Sequence, residues 1–345
     1  MSKVNREVER YRRLVDSFRG KTVTVLGDLV ADEFVYGEIS RVSREAPVLI
    51  LKHRERKVVP GGGANEVMNL ADLGVTVLPV GVVGTDEQAK LLLECFTKKK
   101  ISVSGIVRLK GYTTTTKTRI LAGTTHSGRQ QVVRVDREPE PLHDTHPALL
   151  NIVSAAKEFL QASDALLVSD YGYGAATPRV LNFIRSKGAF RELPVTLDSR
   201  YRMLEFSGIT AATPNEPEVE AALGVQIGHN TEKLYSSGKQ LLEKMKLQSL
   251  VITRGSDGMC AFERGEDPQL IPVHGSDQVT DVTGAGDTVI ATFTAALAAG
   301  ADTITAARIA NFAGGIVVMK RGTATVSRRE LTEVIEQSLG GASRQ

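Results

Sequence analysis

Short β-rich runs alternate with amphipathic helical stretches along most of this chain, and this alternation limits the possible folds more than any other feature. Runs of this kind are TVLPVGVVG, ALLVSDYG, PVTLDSR and SLVITRG. A β-run, a helix and a second β-run are typical of a βαβ unit, and successive units build a mostly parallel sheet. We therefore predict an α/β fold with a doubly wound, mostly parallel sheet flanked by helices. The 345 residues suffice for one large domain or two unequal ones.

Two segments show instead the alternation of apolar and polar residues that is typical of strands with one exposed face. They are residues 33–59, with EFVYGEIS and APVLILKH, and residues 113–138, with TTTTKTRILAG and RQQVVRVDRE. We expect them to form a small β-sheet lid, separate from the main sheet. Residues 1–20 have apolar positions at helical spacing and predict an N-terminal helical extension, with the main domain over 21–340.

Composition excludes several classes of protein. Lysine and arginine number 43 against 40 aspartates and glutamates, and the basic residues are scattered, which argues against a nucleic-acid partner. Cys95 and Cys260 are far apart without a CxxC motif, which argues against a zinc site or disulfide framework and fits a reducing compartment. The amino terminus is charged throughout, and Asp302 and Arg308 interrupt the longest apolar run near the other end. We expect a cytoplasmic protein with no membrane partner.

The segment DVTGAGD, residues 281–287, places acid, hydroxyl and glycine at the start of an apolar helix. If the helix begins near Ala285, the amides of Gly284, Ala285 and Gly286 point into the space before it and can bind an anion. Asp287 would lie in the first turn, where it could take a proton from a hydroxyl group. The alternative is a glycine-rich turn in which Asp287 only favours the helix dipole. The motif alone leaves both interpretations open.

A second glycine cluster, VPGGGANEVMNLADLG, also precedes a helix. Gly62 and Gly63 lie at the entry to this helix, and Asn65 in its first turn is expected to be exposed to a ligand. The alternative is a tight entry from the small sheet into the helix.

These motifs, together with GDLVAD, TPNEPE and TRGSDG, occur in an order and spacing that resemble the ribokinase-like carbohydrate kinases, the PfkB family. The stretches GDLVADEFVYGEISRVSREAPV, TTTTKTRI, LLVSDYGYG and DVTGAGDTVIATFTAALAAG are most similar to the D-glycero-β-D-manno-heptose-7-phosphate kinases of bacterial heptose synthesis. Those kinases often have a fused nucleotidyltransferase domain, which we expect this chain to lack.

The resemblance implies roles for the nucleotide side of the site. Asp287 would deprotonate the C1 hydroxyl of the sugar, and the three amides before it would stabilise charge on the γ-phosphate of ATP. Asn215 and Glu218 match the NxxE motif, which helps to organise Mg²⁺ and phosphate, Glu218 acting through water. A helix capping box is the alternative for this pair, and the two interpretations are compatible.

Three further sites on the nucleotide side follow from the resemblance. Thr253 and Gly255 would approach the nucleotide phosphates, while Arg254 between them is expected to be solvated. Asn311 would line the adenine pocket, or else lie in a helix core. A monovalent cation such as K⁺ would lie beside Asp281 and Thr283.

On the sugar side, Asp32 and Asp28 would bind hydroxyl groups, since a carboxylate accepts two hydroxyl hydrogen bonds; the alternative is that either residue caps a turn. The 7-phosphate requires cations, and the candidates are Lys117, Arg119, Arg134 and Arg200. The alternative for the three lid residues is a solvated sheet face.

Asp170 and Asp198 end β-runs and are expected at the carboxyl edge of the sheet, where ligands collect. Close heptose kinases tend to have DPK where this chain has DSR, so Arg200 would make the basic contact with a different geometry, which leaves substrate identity open.

The sequence thus predicts a kinase that uses ATP and Mg²⁺ to convert heptose 7-phosphate to the 1,7-bisphosphate. Two alternatives remain: the same chemistry on ribose, a fructose phosphate or a nucleoside, and a non-catalytic sugar or nucleotide sensor. Because exposed lid strands often pair with another subunit, we also expect a homodimer through the lid.

Overall fold

The computed structural model describes residues 3–123, 130–186, 188, 193–275 and 280–341. The strands, in chain order, are β1 Thr22–Gly27, β2 Leu29–Val42, β3 Leu49–Gly62, β4 Thr76–Val83, β5 Ile106–Arg108, β6 Thr116–Gly123, β7 Gln130–Arg137, β8 Ala165–Asp170, β9 Val195–Ser199, β10 Ala211–Ala212, β11 Ser249–Thr253, β12 Met259–Glu263 and β13 Gln269–Ile271. The α-helices are α1 Lys3–Ser17, α2 Gly63–Asp72, α3 Glu87–Lys98, α4 Ala148–Leu160, α5 Pro178–Ser186, α6 Glu216–Leu223, α7 Thr231–Lys244, α8 Ala285–Ala298, α9 Thr303–Val317 and α10 Arg328–Gly341.

The main sheet has nine strands in the order β13-β12-β11-β10-β9-β8-β1-β4-β5, parallel from β11 to β5, with β12 and β13 antiparallel at one edge. Helices cover both faces, which confirms the predicted doubly wound arrangement. On β8, Leu167 packs into the core that includes α2, α8 and α9, whereas Leu166 and Val168 pack into the core that includes α4, α5 and α7. Burial on both faces explains why the first four of the six residues of β8 are apolar.

The position of the site follows from strand order. β1 pairs with β4 on one side and with β8 on the other, so the connections leave β1 in both directions. Ligands of open α/β sheets bind at such a switch point, beyond the carboxyl ends of the strands. Here those ends are Gly27 and Asp170.

The predicted lid is a separate sheet in the order β3-β2-β6-β7. It is mixed, because β2 pairs antiparallel with β3 but parallel with β6. β2 begins at Leu29 and β3 continues to Gly62, so these two strands extend beyond both ends of the predicted segment 33–59, toward the main sheet. Residues 124–129 of the predicted second lid segment lie outside the described residues.

The predicted N-terminal helix is present as α1. It packs against α10, and its Tyr11 and Val15 are buried in the core, so it is integrated into the main domain. Among the described helices, none combines the length and apolar character needed to cross a bilayer.

Candidate active site

A cavity of about 160 Å³ opens between the lid and the carboxyl edge of the main sheet. The lid and the loops beyond the main sheet both contribute to its wall, which brings together residues far apart in the sequence. Its lining consists of Val30, Asp32, Gly62, Lys117, Arg119, Arg134, Tyr171, Arg200, Thr283, Gly284, Asp287 and Thr323. The sequence analysis named nine of these as site residues; Val30, Tyr171 and Thr323 it did not.

Asp287 lies in the first turn of α8 and is 7% exposed. Its Oδ2 accepts a hydrogen bond from Asn65 Nδ2 at 2.7 Å, and its Oδ1 accepts one from the hydroxyl of Tyr171 at 2.9 Å. Burial raises the pKa of Asp287 to about 6 although these two donors oppose the shift, and the Asp32 carboxylate adds to it. A carboxylate with this pKa is ionised at neutral pH and is a better proton acceptor than an exposed aspartate.

The backbone before α8 fits closely around this carboxylate. Gly284 is the N-cap with a left-handed φ of +77°, and a Cβ built there would lie 2.6 Å from Asn65 Nδ2. The helix starts at Ala285 as predicted. The amide of Ala285 donates to Val282 O at 3.2 Å. One of the three amides expected to bind an anion is therefore already used by the turn. Gly286 is exposed at the helix start.

We expected Asn65 to be exposed to a ligand. In the structure it is 1% exposed and faces Asp287, so this expectation is wrong. Its backbone and side-chain oxygens accept hydrogen bonds from Asn69 Nδ2 at 3.0 and 3.2 Å. Asn69 Oδ1 in turn accepts from the hydroxyl of Thr288 at 3.0 Å. This buried network between α2 and α8 holds the Asn65 amide in place beside Asp287.

The two glycines before α2 differ. Gly62 lines the cavity with a φ of +52°, and a Cβ there would meet Val30 and the Tyr171 ring at 3.0 and 3.2 Å. Gly63 does not line the cavity; its amide donates to Asp28 O at 3.2 Å. Of these two glycines, only Gly62 lines the cavity.

Asp28 and Asp170 do not line the cavity, and the expectation that they contact substrate needs correction. Asp28 is 3% exposed and accepts backbone hydrogen bonds from Tyr171, Tyr173 and Ala175 at 2.9–3.0 Å. Burial raises its pKa to about 6. This carboxylate shapes the loop that presents Tyr171.

Asp170 is 1% exposed and is engaged within the protein. It accepts from Ser199 Oγ at 2.8 Å and forms an ion pair with Arg202 at 2.6 Å. It therefore links the ends of β8 and β9 and has a structural role.

Asp32 lies on the lid side of the cavity and is 5% exposed. Its Oδ1 pairs with Arg119 Nη1 at 2.6 Å, and its Oδ2 accepts from Thr323 Oγ1 at 3.3 Å. Lys117 lies 3.4 Å from Asp136 and 3.3 Å from Glu138.

The other cations of the cavity, Arg134 and Arg200, differ in their contacts. Arg134 makes two hydrogen bonds to Asp136, and the guanidinium of Arg200 lies 5.6 Å from the centre of the Tyr201 ring. Lys117, Arg119 and Arg134 thus line the cavity, and carboxylates of the lid pair with them; their binding of a sugar phosphate stays a prediction.

Asn215 and Glu218 form the capping box of α6, each side chain bonded to the other's backbone amide at 2.9 Å. Burial raises the pKa of Glu218, and the nearby Arg200 opposes this shift. Asn215 pairs with Thr253 in an isolated parallel bridge, and Gly255 is exposed two residues further on. The four residues predicted for the nucleotide phosphates thus lie on neighbouring ends of β10 and β11.

We expected Arg254 to be solvated, but its side chain is only 9% exposed. Its Nε lies 3.0 Å from Glu216, and its Nη2 lies 3.4 Å from Asp257. Arg254 therefore ties the start of α6 to the turn after β11.

Asn311 is 7% exposed on α9 and donates to Pro272 O at 2.8 Å. It lines a separate groove of about 300 Å³ with His274 and Phe312, whose rings are 4.7 Å apart. Asn311 thus lies on the buried side of α9 and lines this groove, while its place in an adenine pocket stays a prediction.

Asp281 accepts backbone hydrogen bonds from Thr283 and Gly322, both at 2.9 Å. Although burial opposes it, these bonds lower the pKa of Asp281. Its two carboxylate oxygens therefore hold the loop before α8 in shape.

Glu66 of α2 was missed by the sequence analysis. It is fully buried, and its carboxylate lies within 4.8 Å of those of Asp198 and Asp287. Its signal in the sequence was a glutamate one residue after Asn65, at a position that faces the core. This is the one set of three acidic or histidine side chains within the described ranges that is close enough to hold a cation.

Comparison with known proteins agrees with the fold and the motifs. The family model described as pfkB family carbohydrate kinase matches residues 22–330. The chain is 40% identical over 310 residues to the bifunctional protein HldE of Geobacter sulfurreducens, covering 89% of this chain and 61% of that protein. It is 39% identical to the HldE of Gluconobacter oxydans over 94% of this chain and 67% of that protein. The chain thus spans about three fifths to two thirds of these relatives.

Solved structures show the same fold at low sequence identity. Ribokinase of Arabidopsis thaliana, solved with ribose and ATP, aligns with a TM-score of 0.70 at 19% identity, over 92% of this chain and 99% of that one. Phosphofructokinase-2 of Escherichia coli, in complex with potassium, aligns with a TM-score of 0.73 at 16% identity, over 93% and 99%. With the family model matching nearly the whole chain, this protein belongs to the pfkB family of carbohydrate kinases.

Proposed function

We propose that this protein transfers the γ-phosphate of ATP to the C1 hydroxyl of D-glycero-β-D-manno-heptose 7-phosphate, giving the 1,7-bisphosphate for ADP-heptose and lipopolysaccharide core synthesis. The observation that carries this proposal is the composition of the cavity wall: two carboxylates, Asp287 and Asp32, and a group of cations, Lys117, Arg119, Arg134 and Arg200. A sugar phosphate requires both a base for its hydroxyl and cations for its phosphate. The similarity to HldE proteins supports the choice of sugar.

Asp287 is the proposed catalytic base. It is ionised at neutral pH, and the hydrogen bonds from Asn65 and Tyr171 fix the orientation of its carboxylate. The sugar hydroxyl donates its proton to Asp287 as its oxygen attacks the γ-phosphate in line, and the bond between the γ-phosphorus and the β–γ bridging oxygen breaks, so that ADP leaves. The amides of Gly284 and Gly286, with Ala285 shared with its turn, stabilise charge on the transferred group at the amino terminus of α8.

On the sugar, Asp32 accepts hydroxyl hydrogen bonds, and Gly62 allows the ring to approach the backbone. In this structure Lys117 and Arg134 both pair with Asp136 of the lid. When the sugar phosphate binds, it replaces this carboxylate as their partner. Arg119 and Arg200 complete the positive wall. Closure of the lid excludes water that would otherwise hydrolyse ATP.

The nucleotide phosphates lie beside Thr253 and Gly255, and adenine occupies the aromatic groove at Asn311. Glu218 would hold Mg²⁺ through water, because it is a partly buried carboxylate at the sheet edge. Magnesium supplies charge neutralisation of the ATP phosphates. A monovalent cation beside Asp281 and Thr283 would bind backbone carbonyls, since both Asp281 oxygens already accept hydrogen bonds.

Two other functions remain testable: kinase activity on another sugar or a nucleoside, and sensing without catalysis. The experiment is ADP release from Mg²⁺-ATP with heptose 7-phosphate, fructose phosphates, ribose and adenosine, for the wild type and Asp287→Asn. We expect turnover on the heptose phosphate and a loss of about a hundredfold or more in the variant. Turnover on another acceptor would replace the substrate, and no turnover on any would favour the sensor.

We further propose a homodimer through the lid in the cytoplasm. β7 is an edge strand with every residue exposed, and its Val132, Val133 and Val135 are 39–49% exposed. An apolar edge strand of this kind is stabilised by a second subunit.

A further inference from the structure

Behind the proposed base lies a second acidic side chain with no role in the mechanism above. Glu66 is 0% exposed, and its Oε1 accepts a hydrogen bond from Ser169 Oγ at 2.9 Å. Its Oε2 is buried without a donor, the one side-chain oxygen or nitrogen in that state among the described residues. An unpartnered buried carboxylate oxygen is costly, so this atom requires an explanation.

The groups around Glu66 are acidic or neutral. Asp198 approaches from the end of β9, Asp287 from α8 and the Tyr171 hydroxyl from the loop after β8, and Glu218 and Asp170 act on Asp198 from further away. Within the described ranges, no lysine, arginine or histidine forms an ion pair with Glu66, Asp198 or Asp287. Glu66 and Asp287 are buried and Asp198 is partly buried, and three carboxylates this close cannot all be ionised without a proton or a cation between them.

The geometry favours a proton. The carboxylates of Glu66 and Asp198 lie within 4.8 Å of each other, and Glu66 Oε2 has no donor. Two carboxyl groups this close can form a hydrogen bond only when one of them is protonated. A cation shared by all three groups would also occupy Asp287, whose two oxygens already accept from Asn65 and Tyr171 and whose lone pairs the reaction needs.

We propose that Glu66 is a positioning residue held as the neutral acid, with its Oε2–H donated to the carboxylate of Asp198, so that Asp287 is spared a further negative neighbour. Burial raises the pKa of both Glu66 and Asp198. The proton is assigned to Glu66 because Glu66 is 0% exposed and its Oε2 has no donor, whereas Asp198 is only partly buried. The proposal rests on the proposed role of Asp287 as base.

Loss of this proton has a consequence for turnover. An ionised Glu66 would add a buried negative charge beside the site into which the γ-phosphate of ATP must move, so kcat is expected to fall as pH rises through the Glu66 pKa. Glutamine at this position cannot ionise, yet its NH₂ can donate to Asp198 and its carbonyl can accept from Ser169. Glu66→Gln is therefore expected to remove the alkaline decline, with the variant-to-wild-type ratio of kcat rising about tenfold per pH unit beyond the inflection.

The first test does not depend on activity. Infrared difference spectra of wild type minus Glu66→Gln, without substrates at pH 8, should show the carbonyl stretch of one protonated carboxylic acid, which disappears as pH rises further. At that pH Asp28 and Asp287, with pKa values of about 6, are ionised and do not contribute. Glu33→Gln is the control, because Glu33 is also buried but pairs with Arg56 and Arg137, and no such band should be lost.

Three results would overturn the proposal. The first is the absence of the acid band, and the second is an alkaline decline in kcat that persists in Glu66→Gln. The third is tight binding of Mn²⁺ without nucleotide that Glu66→Gln abolishes, because this result would assign a cation to the cluster. If Glu66→Gln does not fold, Ser169→Ala replaces it: loss of the Ser169 hydrogen bond raises the Glu66 pKa, so the band and the alkaline decline should both move to higher pH. An acid band in a protein without kinase activity would uphold the protonation and reject the proposed function instead.

Discussion

At the scale of single residues, the site depends on how Asp287 is held. Two neutral donors, Asn65 and Tyr171, stabilise its charged form, while burial opposes it. The balance leaves a carboxylate that loses its proton near pH 6. The proposed base is therefore ionised at neutral pH and is still a stronger proton acceptor than an exposed aspartate.

Tyr171→Phe removes one of these donors and is expected to raise the pKa of Asp287. Because the base must be ionised, kcat/KM falls as pH drops through this pKa, at about 6 in the wild type. In the variant the acid limb should move to higher pH by about one unit. Tyr173→Phe is the matched control, since the Tyr173 hydroxyl donates to Glu138, and its acid limb should stay in place. Equal profiles for both variants would contradict the role of Tyr171.

Asp28→Ala is expected to act on stability. The change leaves three backbone amides of the 171–175 loop without their acceptor, at a cost of about 3 kcal/mol or more in the free energy of unfolding. Asp32→Ala is the comparison, because Asp32 lines the cavity and should mainly raise the KM for the sugar. Urea denaturation and sugar KM measured on both variants separate the two roles; an Asp28→Ala protein with wild-type stability and a raised KM would restore Asp28 to the substrate site.

These aspartates show what sequence alone can predict at this scale. The motif around Asp287 predicts the place of this carboxylate in the first turn of α8, because that place depends only on local features, a glycine turn and a helix start. Asp28, Asp170 and Asn65 also lie at strand or helix ends, but amides and side chains distant in sequence bind them, and a single sequence does not reveal those partners. Glu66 was missed for the same reason, since its neighbours come from β8, β9 and α8.

At the scale of elements, the join between α2 and α8 requires glycine at one position and tolerates a side chain at another. Gly284→Ala would place a Cβ 2.6 Å from Asn65 Nδ2 at a φ of +77°, whereas a Cβ at Gly286 meets nothing within 4 Å. We expect Gly284→Ala to lower the free energy of unfolding by about 1–3 kcal/mol and to reduce kcat by displacing Asn65. Gly286→Ala should keep or slightly raise stability, because alanine favours helix.

Thermal or urea unfolding of both variants measures this difference directly. Equal stabilities would mean that the turn before α8 can rearrange around a side chain. The helix start itself was predictable from glycine and the apolar run after it, but its close fit to Asn65 was not, because it depends on how α2 packs against α8.

At the scale of the whole molecule, periodicity predicted both sheets, since alternation marks half-exposed strands and continuous apolar runs mark strands buried on both faces. It did not predict the parallel pairing of β2 with β6, because that pairing joins segments about eighty residues apart. The resulting lid has two edge strands, β3 and β7, and the exposed valines of β7 lie on one of them.

Those valines give a test of the proposed assembly. Val133→Lys places a charge on a side chain that is 49% exposed, so it should cost the folded subunit little but prevent close packing of a second lid against β7. We expect the wild type to sediment as a dimer at micromolar concentration and the variant as a monomer. Leu150→Lys, at a residue 63% exposed on α4, is the matched control and should remain dimeric. A wild type that is monomeric at every concentration would mean that there is no subunit contact. A Val133→Lys protein that still dimerises would place the contact away from β7. In either case β7 would be an open edge of the lid.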